Sequence, residues 1–308
     1  MNLKSKQAIL MGLASALLFS ITFIVNRLMS VSGGSWVWSS VLRFYWMLPF
    51  FFLIVGLKKG VTPLFREIAA RPLQWLLWST VGFGLFYAPL TFAAAYTPSW
   101  LIAGTWQFTI IAGLLVAPFI NRKGTNVRTG HHSALLYSGI ILLGIVVMQA
   151  REAISLPPEK VIKGAVPVLV AAFAYPLGNR KMMQVTNGRL DVYQRILGMV
   201  LCSLPFWLIL TTGEIVLSKA GPSPGQYAQT LVVAIFSGVL ATALFFSATD
   251  KVSADEKGLA AVEATQSAEV LFALAGEVIL LGSPLPDLYA LGGMALAMLG
   301  MILHSLES

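Results

Sequence analysis

From residue 75 to residue 120 the chain carries no Asp, Glu, Lys or Arg, a run of 46 residues. As one α-helix the run would be about 69 Å long, more than twice the roughly 30 Å of a bilayer's hydrocarbon core. Tyr96-Thr97-Pro98-Ser99 has turn chemistry and divides it into two crossings joined as a hairpin. A water-soluble fold would have to bury both arms completely. A bilayer requires only that they be apolar and helical.

Comparable apolar segments cover residues 8–29, 36–55, 75–95, 100–120, 134–150, 162–179, 192–210, 230–249, 259–281 and 288–304. At about 20 residues per crossing, ten crossings use roughly 200 of the 308 residues and leave short loops. With 57% hydrophobic and 11% charged residues, against about 25% charged in soluble domains, the chain reads as an all-α polytopic membrane protein. It has no room for a separate soluble domain. Lys4 and Lys6 precede an apolar stretch longer than a signal peptide's core and without a cleavage site, so that stretch is read as the first membrane helix.

Several function classes drop out. The formal charge is +8, but no Lys/Arg run exceeds two residues, so no nucleic-acid partner is expected. The single cysteine, Cys202, permits neither an internal disulfide nor a thiolate metal cluster. His131-His132 and His304 lack metal-ligand spacing. No Walker loop, nucleophile elbow or His/Glu metal motif occurs, so the expectation is no enzyme, no cofactor and no ATPase subunit.

Orientation follows from the basic residues, which are retained on the cytoplasmic side. With the N-terminus inside, fifteen Lys/Arg, Arg195 among them, fall on the cytoplasmic side and four (Arg151, Lys160, Lys163, Lys219) outside. Both termini are therefore expected in the cytoplasm, in the bacterial inner (cell) membrane. The halves also repeat at an offset near 153: Asn26-Arg27-Leu28-Met29 meets Asn179-Arg180-Lys181-Met182, and Arg43 meets Arg195. Leu48-Pro49-Phe50 recurs as Leu204-Pro205-Phe206, and Thr105-Trp106-Gln107 resembles Ala264-Thr265-Gln266. An odd number of crossings per half implies two inverted five-helix repeats, residues 1–150 and 162–308, joined by an outer linker at 151–161.

The ninth segment carries Glu263, Gln266, Glu269 and Glu277. At 100° per residue they occupy an arc of about 120° on one helix face. A carboxylate at the bilayer centre costs about 2.5–3.5 kcal/mol on insertion scales, which makes it a functional candidate. Glu269 lies deepest, roughly 15 Å in from residue 259. An apolar surrounding favours the neutral form of any carboxyl group and a nearby cation the ionised form, so a proton and a cationic substrate would compete for Glu269. A structural carboxylate bonded to a neighbouring helix is the alternative for each, and the stronger one for Glu263 and Glu277. Arg43 and Arg195 are either headgroup anchors or partners for a carboxylate or an anionic substrate. Asn26 and Asn179 end their helices and either cap or line a cavity, and Tyr175 lies beside Pro176 in a helix also containing Pro167. Trp36, Trp38, Trp46, Trp75 and Trp78 are expected at the interfaces. Trp106, beside Gln107, and Tyr87 lie deeper, where an aromatic face near a carboxylate could hold an organic cation, with ordinary packing as the alternative.

The stretch Val262-Glu263-Ala264-Thr265-Gln266-Ser267-Ala268-Glu269-Val270-Leu271-Phe272, then Gly276-Glu277 and Gly293-Met294-Ala295-Leu296-Ala297-Met298-Leu299-Gly300, resembles the drug/metabolite transporter superfamily, specifically its ten-helix multidrug resistance efflux transporters. The resemblance covers essentially the whole chain. Ser283 departs from it, since many members carry an acidic residue there. The resemblance implies a secondary active transporter, with proton-coupled efflux of small hydrophobic or cationic compounds as the leading expectation. Export of a neutral or zwitterionic metabolite such as an amino acid is the alternative, and a passive channel or membrane-embedded enzyme a remote one. Fold analogy does not choose among them.

Overall fold

The computed structural model describes residues 3–58, 60–120, 131–155, 157–219, 221–252 and 256–307. They are helical with no strand among the described residues. In chain order the helices are α1 (Leu3–Val31), α2 (Trp36–Lys58), α3 (Thr62–Ala70), α4 (Pro72–Ser79), α5 (Leu85–Ala93), α6 (Ser99–Trp106), α7 (Phe108–Ile120) and α8 (His131–Ser155). They continue as α9 (Pro158–Thr186), α10 (Val192–Ser218), α11 (Pro224–Val233), α12 (Thr242–Lys251), α13 (Glu256–Ala264), α14 (Ala268–Leu281) and α15 (Leu288–Glu307). Three pairs run on through an irregular turn: α4 into α5 through the π-helical Thr80–Gly84, α11 into α12 through the π-helical Ala234–Ala241, and α13 into α14 through the 3-10 turn Thr265–Ser267.

The apolar segments read from the sequence fall on these helices, with 100–120 divided between α6 and α7 at Gln107 and 75–95 running two residues past α5. Among the described residues seven rods are long and apolar enough to cross a membrane, and two shorter apolar stretches are Leu136–Ala150 and Leu288–His304. Large apolar side chains cover much of the exterior: Leu57 is 79% exposed, Ile209 71%, Leu217 85% and Ile279 77%. Water would not tolerate such a surface, and lipid requires it. Helices α8 and α9 extend to Ser155 and from Pro158, well into the stretch 151–161 that reads as a linker in the sequence. The basic loop positions Lys59, Arg122, Lys123 and Arg128 lie outside the described residues, as do the side chains of His131, His132, Arg151 and Lys257.

Local chemistry sets the helix ends. Asp191 caps α10 by accepting from the Gln194 amide at 2.8 Å, and the Gln194 side chain accepts from the Asp191 N–H in return. Ser223 and Gln226 form the same box at α11. Helix α3, not anticipated from the sequence, is short and ends at Arg71. Arg189 grips its Glu67 with two hydrogen bonds, 2.5 and 3.0 Å, and holds that carboxyl below the usual carboxylate range.

Packing follows an exchange pattern between the halves. Helix α1 packs on the Ala234–Ala241 turn, α12 and α14, while α9 packs on the Thr80–Gly84 turn, α5 and α7. Helix α2 lies on α10 and α8 on α15. Glycine permits the closest approaches. A Cβ on Gly144 would come 2.5 Å from the Gly293 carbonyl and the Ala297 nitrogen, and one on Gly178 would come 2.3 Å from Gly82 Cα. Trp38 and Trp75 are buried rather than interfacial: Trp75 is fully buried, filling the space above Gly198. Facing helices supply enough apolar surface to absorb an indole that sequence position alone would send to the headgroups.

Candidate functional site

The helix interruptions converge. Phe83 belongs to one π-helical turn, Ser237 and Gly238 to the other, Gln107 is the break between α6 and α7, and Gln266 lies in the 3-10 turn. All line one cavity of ≈ 350 Å³, within the range of small-molecule sites. An interrupted helix frees backbone groups and turns side chains away from their regular phase, which is why such breaks recur at functional sites. The interruptions recur at matching places in the two halves: the Gln107 and Gln266 breaks fall in segments whose residues already resemble each other, whereas the two π-helical turns were not apparent from residue identities.

Of the side chains singled out in the sequence, Glu269, Gln266, Gln107, Trp106, Asn179, Tyr175 and Arg43 line this cavity. Glu269 is 6% exposed and makes no hydrogen bond or ion pair among the described residues. Gln266 donates to the Gly12 carbonyl at 3.3 Å and to Ser15 Oγ at 3.1 Å, which ties the 3-10 turn to α1. Gln107 is held by the Ala103 carbonyl at 3.1 Å.

Arg43 is buried and faces the cavity, not the headgroups. Its Nη1 and Nη2 donate at 3.4 Å to Thr22 Oγ1 and Ser237 Oγ, which are themselves bonded at 2.6 Å. The guanidinium lies over the Tyr87 ring at 4.1 Å. Tyr87 and Asn26 do not line the cavity. They pair with each other, Asn26 Nδ2 donating to the Tyr87 hydroxyl at 3.0 Å, and Tyr87 forms the platform behind Arg43. Arg195, counted on the cytoplasmic side at the start of its helix by sequence, lines the cavity as well.

Glu263 and Glu277 fall elsewhere. Glu263 is exposed and off the cavity. Glu263 precedes Glu269 by six residues, about 9 Å along the helix axis, and at 100° per residue it already stands at the far edge of the arc the acids share. Glu277 is buried against Ser99 and Arg27. Phe86, Trp106 and Tyr175 form an aromatic cluster on the cavity wall, with centroid separations of 5.2, 4.9 and 5.5 Å. Thr22, Thr109, Ser237 and Phe86 were not singled out by sequence reasoning. Serine and threonine are common in membrane helices, where most bond to their own backbone, and phenylalanine is common everywhere in this chain.

The sequence model of the family described as "EmrE: Putative multidrug resistance efflux transporter" matches residues 6–308. The uncharacterized protein YjlA of Bacillus subtilis (strain 168) is 49% identical over 309 residues, covering 98% of this chain and 95% of the relative. An "Uncharacterized 42.1 kDa protein in intracellular alkaline protease 3'region" of Shouchella clausii is 45% identical over 268 residues, 85% of this chain and 70% of the relative. A crystal structure superposes with a TM-score of 0.61 over 97% of this chain and 96% of its own, at 15% identity, a likeness of fold alone.

Proposed function

This chain belongs to the EmrE family of multidrug resistance efflux transporters, and from that membership and the cavity we propose that it exports small apolar compounds bearing a cationic group in exchange for protons. At the level the family itself carries, it is an integral membrane transporter of small molecules, and no enzymatic reaction is implied.

The observation that carries the exchange mechanism is Glu269, buried in the cavity wall without an internal partner among the described residues. An ionised carboxylate there is costly unless paired. A proton neutralises it, and so does the cationic group of a cargo, but not both together. The charged and titratable groups sharing the cavity are Arg43, Arg195 and Tyr175. None of them forms an ion pair with Glu269. Loading cargo from one side therefore expels a proton, and the proton gradient drives the return step. The Phe86, Trp106 and Tyr175 rings supply the apolar wall.

Alternating access is the rocking of one five-helix half against the other, in a chain of ten crossings with both termini in the cytoplasm of a bacterial cell. The exchanged packing of α1 and α9 and the matched helix breaks support two inverted repeats, 1–150 and 162–308. A site where the repeats meet can open to either side without being rebuilt.

The test uses the purified chain alone in proteoliposomes. Cationic dyes, amino acids and nucleotides are screened by counterflow, and each compound moved is then offered under an imposed pH gradient. Uphill accumulation that collapses with an uncoupler supports the proposal. Transport indifferent to the gradient indicates a channel, and ATP-driven transport that survives the uncoupler refutes exchange.

A further inference from the structure

The described cavity lining carries two guanidinium groups, Arg43 and Arg195, and one carboxylate, Glu269. None of the three pairs with another. Arg43 is pre-oriented, its Cζ 4.1 Å from the Tyr87 ring centroid and its Nη atoms 3.4 Å from Thr22 and Ser237, yet its Nε is buried with no hydrogen-bond partner. Arg195 makes no side-chain hydrogen bond or ion pair among the described residues and holds the matching place in the second half. A planar guanidinium presents a fork of donors suited to a carboxylate, and two of them left unpaired in a largely apolar cavity await an anion.

The second half of the argument is an asymmetry. Aligning Gln107 with Gln266 sets Ile110 opposite Glu269, and both line the cavity. The arginines come as a pair and the carboxylate is single. A cargo with only a cationic group would add a third positive charge beside two unpaired guanidiniums. A cargo with only an anionic group would suit the arginines, but it would favour protonated Glu269, so proton and cargo would travel together instead of exchanging. A single molecule carrying both charges meets both requirements.

We infer that the cargo is a small zwitterion, its carboxylate held by Arg43 and Arg195, its ammonium group at Glu269, and its apolar side chain against Phe86, Trp106 and Tyr175. This rests on the exchange role of Glu269 proposed above. The lining groups describe an amino-acid-like compound with a large apolar side chain, in place of a compound that carries only a cationic group.

An isosteric series isolates each charge: phenylalanine, phenethylamine without the carboxylate, and 3-phenylpropionate without the amine. Counterflow in proteoliposomes without a pH gradient reads cargo charge apart from proton coupling. Wild type should exchange phenylalanine at least about tenfold faster than either analogue, the ratio expected for one lost charge contact. Arg43→Gln and Arg195→Gln should erase the preference over phenethylamine, while Arg43→Lys and Arg195→Lys retain part of it and show that the fold survives. Phenethylamine moved as well as phenylalanine by wild type, preference unchanged in both glutamine variants, or no movement of phenylalanine overturns the inference. If the charge selectivity holds while an internal pH dye records no proton movement during net phenylalanine flux down its own concentration gradient, the exchange reading of Glu269 has failed and the arginine contacts stand.

Discussion

Glu277 on α14 accepts two hydrogen bonds from Ser99 at the first turn of α6, one from its backbone N–H at 2.9 Å and one from its hydroxyl at 2.5 Å. Its other oxygen lies 3.8 Å from Arg27 Nε and accepts from Ser283 at 3.3 Å. The carboxylate therefore serves as the N-terminal cap of a helix in the other half and joins α1, α6 and α14 at one end of the bundle. Its partners are all internal, which distinguishes it from Glu269.

The first prediction separates these two acids. Glu277→Ala strands the Ser99 donors in a buried place and should lower stability by about 1.5–3 kcal/mol, the worth of hydrogen bonds to a charged group. Glu277→Gln, still an acceptor, should lose less. Thermal denaturation in detergent measures both, and an alanine variant melting with wild type would remove the structural role.

Glu269→Gln should behave oppositely. It keeps size and hydrogen-bonding capacity but removes the titration, so the protein should fold and melt normally while losing gradient-driven accumulation. Downhill exchange should persist at a reduced rate. Uphill transport equal to wild type in proteoliposomes would move the proton site elsewhere.

Helices α8 and α15 offer a prediction with an internal control. A Cβ at Gly144 meets backbone atoms of Gly293 and Ala297 at 2.5 Å, and backbone cannot rotate aside. Gly144→Ala should therefore destabilise by about 1–3 kcal/mol, the scale of overpacking. Gly139→Ala on the same helix, with nothing within 4 Å, should be neutral or slightly stabilising. Equal melting temperatures for the two variants would contradict the close packing.

The Glu67–Arg189 bridge predicts a pH dependence. Arg189 lowers the Glu67 carboxyl in the folded protein, chiefly through its hydrogen bonds, so the bridge's contribution is present at neutral pH. It fades as pH falls through the depressed folded value, where Glu67 becomes protonated. The bridge is largely solvent-exposed, so its contribution is small. Wild type should melt slightly above Glu67→Gln at neutral pH, with the gap closing in acid. A gap that widens in acid would reverse the assigned sign.

Topology is checked by reporter fusions. Fusions after Gly60, Asn187 and the C-terminal residue should report cytoplasmic, and those after Gly33 and Lys219 outside. An external C-terminus would exclude ten crossings.

The helices were legible because the signal for a membrane span is simple. The 46-residue uncharged run and its Tyr96–Ser99 turn already describe the hairpin that α5 and α6 make. Much of the site was legible for a related reason: Glu269, Gln266, Gln107 and Asn179 are polar groups inside apolar segments, and each needs a reason to be there. Arg43 was visible as a residue but not as a cavity wall, since a long side chain near a helix end can reach headgroups or interior equally well.

Residue order therefore determined that the chain enters a membrane, where the apolar helices lie, and which few polar groups it must accommodate. Those outcomes depend on local transfer free energies that add along the chain. Only the tertiary structure decided which of the groups meet. It paired Asn26 with Tyr87, gave Glu277 to Ser99, and left Glu263 exposed, with Glu269, Arg43 and Arg195 around one cavity. Helical phase within one segment cannot foresee that, because which groups meet depends on packing between helices far apart in sequence.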